Sequence, residues 1–336
     1  MKIKNFDIKK KVFIIAEIGN NHEGNLNVAK NLVNLAAKAG VDAVKFQTFK
    51  TEEFVQVSNK KRFKQLKKFE LSFKDYKILK DLAHKKKLQF ISTPLDFISA
   101  EFLIKNVDII KIASGDNNFL PMIERVLRSK KPMIISTGMT NLVDIKNLIK
   151  VILKFYKKKE AITKVAFLHC VTSYPVEFEH ANLNSIPYLI KNLDFQIGYS
   201  DHTLGSEACL GAVALGAKII EKHFTIDKNF SKFRDHSLSA DYAELKNLVL
   251  SIRKMEKLKG KFEKIIQPPE KKIIKIVRRA VYAKTNIKIN ENISLENSIF
   301  LRPAKSKNFL DLKNYIGKKT KKNIKKNQRI NNLNLY

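Results

Sequence analysis

Eight short apolar stretches recur through residues 1–260, and segments with helical spacing of apolar residues lie between them. Each stretch has the length and the β-branched content of a buried strand, whereas the intervening segments repeat apolar residues every three or four positions. The strand candidates are residues 12–18, 41–49, 88–94, 107–116, 131–140, 164–175, 195–200 and 217–223. Strands that alternate with helices over this length predict an α/β fold of the (β/α)8 TIM-barrel type.

Residues 195–225 contain two predicted strands that each end at a histidine. They predict a strand, a Gly- and Ala-rich helix and a second strand, so that His202 and His223 lie at the carboxyl ends of neighbouring parallel strands. The period of two places Ser200 beside His202 and Glu221 beside His223. Two such imidazoles can bind one divalent metal, with substrate oxygens and water completing the site. The alternative is that both histidines only form hydrogen bonds within the barrel mouth.

Polar side chains also end most of the other predicted strands. Hydroxyls, turn N–H groups and buried ammonium groups at one face of a barrel predict an anion site, most naturally for phosphate and carboxylate. Each Ser or Thr alone could be a turn residue, but their recurrence at successive strand ends favours a binding function. The residues at these ends are Glu17, His22, Lys45, Gln47, Lys111, Ser114, Asp116, Ser136, Thr137, Thr172, Ser173 and Tyr174.

The pattern changes after the last helix of the predicted barrel. A polar stretch with a proline pair predicts a linker at 259–272, between a barrel domain at 1–258 and a small β-rich module at 273–336. Within the barrel, residues 50–72 are polar and irregular, and we expect a long loop with a short helix over the barrel mouth.

Charge is the most unusual feature of the composition. Lys and Arg outnumber Asp and Glu by 65 to 32, which gives a formal net charge of +33. This excess suggests a nucleic acid or another anionic partner. The lysines are spread over helix faces and loops, however, and no nucleic-acid-binding signature accompanies them, so we expect no specific nucleic-acid function. No apolar run is long enough for a membrane span, and we expect neither a signal peptide nor a disulfide in a cytoplasmic protein.

Several motifs in this order resemble the sialic acid synthases, which condense phosphoenolpyruvate with an N-acetylated hexosamine. The motifs cover almost the whole chain: IAEIGNNHEGN, GVDAVKFQTF, FISTPLD, KIASGDNN, IISTGM, LHCVTSYP, IGYSDHTLG, ALGAKIIEKHFT and LRPA. The resemblance implies that the C-terminal module is the antifreeze-protein-like (SAF) domain of that family. It also implies a domain-swapped homodimer.

The resemblance assigns roles to individual residues. His202 and His223 would be the protein ligands of Mn²⁺ or Mg²⁺, and Glu17 and Gln47 would line the reacting centre. Tyr174 and Asp235 would contact the sugar, and Arg302 would reach a neighbouring subunit and bind the N-acetyl group. The residues that would hold the phosphate and carboxylate of phosphoenolpyruvate are Lys45, Thr93, Lys111, Ser114, Ser136 and Ser200.

The departures from the family pattern lie on the sugar side. Asp116 stands in the substrate site where relatives often have Glu, and Thr172 stands where some have Asn. Residues 304–308 replace a Gly-rich stretch, and residues 230–239 lack the Gly-Pro often found before Asp235. The acceptor could therefore be N-acetylmannosamine or a diacetamido sugar that leads to legionaminic or pseudaminic acid. Another phosphoenolpyruvate-condensing aldolase, with a sugar phosphate acceptor, is a further alternative.

Overall fold

The computed structural model describes residues 2–3, 6–8, 10–304 and 312–336, and the chain divides into two compact units, 1–260 and 261–336. The first unit begins with a short antiparallel hairpin, β1 (Lys2–Ile3) and β2 (Phe6–Asp7). Ile8, directly after the hairpin, is buried among the side chains that fill the barrel. The hairpin was not predicted, because two-residue strands are too short to show a period.

Eight parallel strands then close into a barrel in which the last strand pairs with the first, β10 with β3. The strands are β3 (Phe13–Gly19), β4 (Ala43–Thr48), β5 (Gln89–Pro94), β6 (Ile109–Ile112), β7 (Met133–Ser136), β8 (Val165–Cys170), β9 (Gln196–Asp201) and β10 (Ile219–His223). Each lies within or next to a predicted strand. The prediction of a (β/α)8 barrel is therefore confirmed.

The barrel has two apolar layers because side chains alternate along each strand. One set points inward and fills the barrel, as Phe13, Ile91 and Ile134 do. The other set points outward and packs against the helices, as Ile14 and Ile135 do. Both sets lie below the carboxyl ends of the strands, so the core supports the polar residues that follow it.

Helices separate successive strands. They are α1 (Leu26–Ala39), α2 (Thr51–Phe54), α3 (Lys60–Phe69), α4 (Phe73–Lys85), α5 (Phe97–Asn106), α6 (Leu120–Arg128), α7 (Leu142–Phe155), α8 (Lys158–Lys164), α9 (Ser185–Asn192), α10 (Glu207–Ala214), α11 (Arg234–Leu238) and α12 (Tyr242–Lys259). Helix α1 has a capping residue at each end. The Asn25 side chain accepts from the N–H groups of Asn27 and Val28, and Gly40 has a left-handed backbone with φ 89°.

The segment 50–72 contains more regular structure than predicted, since both α2 and α3 lie in it. Helix α3 is so rich in lysine that its apolar positions are few, but Leu66 and Phe69 are buried beside Phe49 and next to Phe54. Glu70 anchors the segment by accepting hydrogen bonds from the Thr51 backbone at 3.0 Å and from the Lys50 ammonium group at 2.9 Å. These contacts hold Phe54 at the barrel mouth.

The second unit has a small apolar core of its own. It contains α13 (Pro268–Val277) and an antiparallel pair, β11 (Ala280–Ala283) with β12 (Ser298–Leu301), and isolated bridges such as Ile287 with Ile324 join the rest. Val281, Ile293 and Ile330 are among its buried residues. Helix α13 spans the predicted boundary between linker and module. Residues 305–308, part of the predicted sugar-side loop, lie outside the described residues.

A buried ion pair lies between the outer face of the barrel and α10. The Asp201 carboxylate accepts hydrogen bonds from the Lys222 ammonium group at 2.7 Å, the Thr203 backbone N–H at 2.9 Å and the Tyr199 hydroxyl at 3.1 Å. The Lys222 side chain is 3% exposed and that of Asp201 is 0% exposed. Five side-chain and backbone donors, including the Cys209 thiol, surround this carboxylate. They fix the chain immediately before His202.

Replacing Lys222 by Met should lower the free energy of unfolding by about 3–5 kcal/mol, because the Asp201 charge would stay buried without its counter-charge. Urea denaturation at pH 7 measures this loss. Lys158→Met is the matched control, since Lys158 pairs with Asp194 at 2.6 Å on an exposed surface. The control should cost at most about 1 kcal/mol. Equal losses in the two variants would contradict a stabilising role for the buried pair.

Candidate active site

A cavity of about 310 Å³ opens at the carboxyl ends of the barrel strands. Most of the predicted site residues line it; the exceptions are His22, Thr137, Ser173, Asp235 and Arg302. The predicted residues in its wall are Glu17, Lys45, Gln47, Thr93, Lys111, Ser114, Asp116, Ser136, Thr172, Tyr174, Ser200, His202 and His223. Asp235 lies outside this wall, although its charge raises the pKa of His223 against the larger effect of burial. Arg302 is exposed and belongs to the second unit.

Two lysines and two glutamates form a buried charge cluster in the cavity wall. Lys45 lies 2.8 Å from Glu17 and 3.6 Å from Glu221, and Lys111 lies 3.7 Å from Glu221. Glu221 also accepts a hydrogen bond from Ser200 at 2.9 Å. Opposite charges at these distances offset the cost of removing each group from water.

The pKa values in this cluster follow from burial and from the neighbouring charges. Burial alone would raise the pKa of Glu221, but Lys111 and Lys45 lower it to about 2. Burial would lower the pKa of Lys45, but Glu17 and Glu221 raise it above its usual value. Burial raises the pKa of Glu17 and lowers that of Lys111. Glu221 is therefore ionised at neutral pH, and of the two lysines in the cluster Lys111 is the one whose pKa is lowered.

Hydroxyl groups extend the cluster toward β7 and β5. The Lys111 ammonium group donates to the Ser136 hydroxyl at 2.7 Å, and the Ser114 hydroxyl accepts from the Gly138 N–H at 3.1 Å. The Thr93 hydroxyl is buried and has no hydrogen-bond partner. A buried polar group without a partner is costly, and a ligand oxygen would satisfy it. Ammonium and hydroxyl donors here can therefore bind an oxyanion.

His202 and His223 lie side by side, with 5.3 Å between their ring centroids. The His202 Nδ1–H group donates to the Val171 carbonyl at 2.9 Å, which leaves Nε2 with a free lone pair in the neutral ring. Burial lowers the pKa of His223 to about 4, so that ring is neutral at pH 7, and its Nδ1 atom is buried without a partner. The Tyr174 ring packs against His202 at 4.2 Å.

These two imidazoles fit a divalent metal. Each offers a lone pair, and the His202–Val171 hydrogen bond is of the kind that orients metal-binding histidines. Within the part of the chain that the structure describes, no group of three or more His, Cys, Asp and Glu side chains is arranged to hold a metal ion. The histidine pair would therefore be the whole protein contribution to such a site.

Six residues in the cavity wall have no role predicted from the sequence: Phe54, Leu95, Ala113, Gly115, Cys170 and Glu221. Glu221 could have been found, because it shares a strand face with His223 at a spacing of two. Cys170 ends β8, and its thiol lies 3.9 Å from His202 Nδ1. Phe54 follows no period and reaches the cavity only because the α2–α3 segment packs over the barrel mouth.

Comparison with known proteins identifies the family of this chain. A (β/α)8 barrel with a histidine pair and an oxyanion site at its carboxyl face is the architecture of a barrel enzyme. Residues 32–264 match the NeuB family. The chain belongs to this family.

Three relatives show how far the similarity extends. The N,N'-diacetyllegionaminic acid synthase of Campylobacter jejuni is 40% identical over 96% of this chain and 99% of its own length. The enzyme of the same name from Legionella pneumophila is 37% identical over 93% of this chain and 91% of its own. The crystal structure of the N-acetylneuraminic acid synthetase of Leptospira borgpetersenii superposes with a TM-score of 0.76 and 36% identity, covering 82% of this chain and 94% of that one.

In the described residues, no helix combines the length and apolar character needed to cross a bilayer.

The nucleic-acid alternative rested on net charge. It gains no support from the three relatives, whose names describe sugar acid synthases.

The loop after β3 contains a buried histidine that makes stability depend on pH. His22 Nδ1 accepts from the Gly24 N–H at 3.0 Å, while its Nε2 atom has no partner, and burial lowers the pKa of His22 to about 4. An unfolded histidine has a pKa of about 6.5. Between these values the unfolded chain binds the proton and the folded chain does not, so stability falls as pH decreases from about 6.5 to 4.

Replacing His22 by Asn should therefore reduce the slope of stability against pH in this range, since the Asn oxygen can accept from Gly24 without titrating. Chemical denaturation at several pH values between 4 and 7 measures the slope. His180→Asn, at an exposed position, should leave it unchanged. An unaltered slope in the His22 variant would contradict this origin of the pH dependence.

Proposed function

We propose that the protein condenses phosphoenolpyruvate with an N-acetylated hexosamine to give a nine-carbon 2-keto sugar acid and phosphate. The observation that carries the proposal is the cavity wall, where Lys111, Ser136 and the unpartnered Thr93 hydroxyl can bind an oxyanion beside the His202–His223 pair. Relatives of this family bear the names of legionaminic, pseudaminic and neuraminic acid synthases. Their names support this class of reaction.

Phosphoenolpyruvate binds on the lysine side of the cavity in this proposal. Lys45 and Lys111 neutralise its phosphate and carboxylate, and the hydroxyls of Thr93, Ser114, Ser136 and Ser200 donate to their oxygens. Because these groups are held by barrel strands and by one another, they need little rearrangement when the anion binds. The carboxylates of Glu17 and Glu221 act to raise the pKa of both lysines and so favour their charged forms before the substrate arrives.

The reaction forms one carbon–carbon bond and breaks one bond to phosphate. The C3 atom of phosphoenolpyruvate attacks the aldehyde carbon of the open-chain sugar, a water molecule adds to C2, and phosphate leaves from the tetrahedral intermediate. Glu17 and Gln47 line this reacting centre, and Glu17, whose pKa burial raises, is placed to exchange a proton there. Asp116 and Thr172 complete the substrate side of the wall.

His202 and His223 would hold a divalent ion, Mn²⁺ or Mg²⁺, which when bound polarises the aldehyde oxygen of the acceptor. Tyr174, packed on His202, shields this position from one side. The Arg234 guanidinium lies over the Tyr174 ring, 4.7 Å from its centroid. Neighbouring Asp235 then supplies a carboxylate for sugar hydroxyls.

The acceptor in this proposal is a diacetamido hexose of the type that leads to legionaminic acid. Two relatives named for N,N'-diacetyllegionaminic acid support this choice. The second unit would be an antifreeze-protein-like domain, and Arg302 would reach the cavity of a partner subunit in a cytoplasmic, domain-swapped homodimer. There it would bind an N-acetyl group of the acceptor.

The test is phosphate release and product mass with phosphoenolpyruvate and each of three acceptors: N-acetylmannosamine, its diacetamido analogues and a hexosamine phosphate. Each assay is run with Mn²⁺ and with a chelator. Release that depends on a diacetamido sugar and on the metal supports the whole proposal. Phosphate release with the sugar phosphate alone would show that the acceptor is a sugar phosphate. No release with any acceptor would contradict the proposed reaction.

Replacing His202 by Ala should lower kcat by at least about 100-fold, because one of two metal ligands is lost. The change in apparent metal affinity is measured by activity against Mn²⁺ concentration and by calorimetric titration of the metal. His180→Ala, on the exposed surface, serves as the control and should retain both properties. Near-normal turnover in the His202 variant would contradict the metal assignment.

Replacing Arg302 by Ala should raise KM for the sugar by roughly tenfold, the loss of one charge-assisted hydrogen bond, and leave KM for phosphoenolpyruvate little changed. Arg279→Ala provides the comparison, because Arg279 donates to the Phe300 carbonyl within the second unit. If both Michaelis constants rose equally in the Arg302 variant, this arginine would have a different role.

A further inference from the structure

The two strands that carry Glu17 and Gln47 are out of regular register at the cavity. Glu17 of β3 lies opposite Lys45 of β4, but Gly19 lies opposite Phe46, so β3 contains one extra residue. In regular register Gly19 would lie opposite Gln47. Asn20 follows Gly19 directly, and its side chain contacts that of Gln47. Irregularities of this kind beside active sites change the direction in which side chains point.

Asn20 determines which way round the Gln47 amide is held. The Asn20 NH2 group donates to Gln47 Oε1 at 2.9 Å, and Gln47 Nε2 in turn donates to Glu17 Oε1 at 3.2 Å. If the Gln47 amide were reversed, its NH2 group would face the Asn20 donor and its oxygen would face the Glu17 carboxylate. Both contacts would then be repulsive, so the pair of hydrogen bonds selects one orientation.

Gly19 leaves space for this arrangement. A Cβ atom at this position would lie 3.1 Å from Glu17 Oε1 and 3.4 Å from Gln47 Nε2, and the residue has a left-handed backbone with φ +53°. The Tyr76 hydroxyl donates to the Gln47 backbone carbonyl at 2.6 Å, which fixes the main chain on the other side. The space at Gly19 and the hydrogen bond from Tyr76 therefore both favour the contact between Gln47 and Glu17.

Asn20 itself does not line the cavity, whereas Gln47 and Glu17 do. It is 4% exposed, and its own Oδ1 atom has no hydrogen-bond partner. We propose that Asn20 is a positioning residue that holds the Gln47 amide with its NH2 group toward Glu17, and that it acts on the reaction only through Gln47. The kinetic part of this inference rests on the proposed function.

A double-mutant cycle separates this role from a structural one. Asn20→Ala should lower kcat by roughly 10- to 100-fold, as misplacement of a group at the reacting centre does. Gln47→Ala should have at least as large an effect. In the combined variant the Asn20 substitution should add nothing, because the group it positions is absent.

The adjacent Asn21 provides a matched control. It is also buried, and its NH2 group donates to the Phe224 carbonyl and to the Ser239 hydroxyl, both at 2.9 Å. Asn21→Ala removes the same atoms from the same loop without touching Gln47. In the Asn21→Ala/Gln47→Ala double variant, the fold loss in kcat should equal the product of the two single losses, because the two residues act independently. If the Asn20→Ala/Gln47→Ala double variant also showed the product of its single losses, the proposal would be overturned.

Asn20→Asp tests the direction of the hydrogen bond with an isosteric change. A carboxylate would face Gln47 Oε1 and favour the reversed amide, which then places an oxygen against Glu17. The loss in kcat should exceed that of Asn20→Ala. Activity equal to that of the unaltered protein would contradict the positioning role.

A measurement without turnover keeps this inference distinct from the proposed reaction. In a protein labelled with ¹⁵N-glutamine, the Gln47 side-chain amide signal is identified by its loss in Gln47→Ala. Its protons should exchange faster with solvent in Asn20→Ala and at an unchanged rate in Asn21→Ala. If no sugar is condensed, the proposed function fails and this spectrum alone decides: an unchanged Gln47 signal in Asn20→Ala overturns the role of Asn20.

Discussion

The mouth of the barrel keeps two ammonium groups and two carboxylates out of water within hydrogen-bond or ion-pair distance of one another. Lys45 contacts both glutamates and Glu221 contacts both lysines, so removing Lys45 leaves Glu17 without its ion-pair partner and removing Glu221 leaves Lys111 without its own. An unpaired charge at this depth would cost several kcal/mol. The residues come from β3, β4, β6 and β10, which means that the closed barrel is the condition for the cluster and the cluster limits how the strands can be registered.

The barrel could be predicted because apolar residues are nearly continuous in its strands and recur every three or four positions in its helices. Strand interiors such as FIIAEIG and IIKI are almost continuously apolar, and the helices between them have ordinary caps. Candidate residues on strands, such as Lys111 and His223, could be placed for the same reason, since the end of a parallel barrel strand has a known position. A resemblance to a known family then supplied roles that spacing alone leaves open.

What the sequence did not reveal depends on tertiary contacts. The α2–α3 segment is lysine-rich and looks like a loop, but Leu66 and Phe69 pack with Phe49 and give it a core. Asn20 sits in a turn where asparagine is common, and only the irregular pairing of β3 with β4 shows that it faces Gln47. The sequence shows that Glu221 lies on the same strand face as His223. It does not show that Glu221 pairs with Lys45 of β4 and Lys111 of β6.

The residues proposed for the two substrates differ in where they lie in the fold. Most of those proposed for phosphoenolpyruvate lie on strands or directly after them, whereas Tyr174 and Asp235 lie on connecting segments and Arg302 lies on the second unit. Segments such as 172–175 and 229–239 can change in length and sequence while the strand registers stay the same. If these segments contact the acceptor sugar as proposed, grafting them between relatives would be a route to altered acceptor choice on an unchanged barrel.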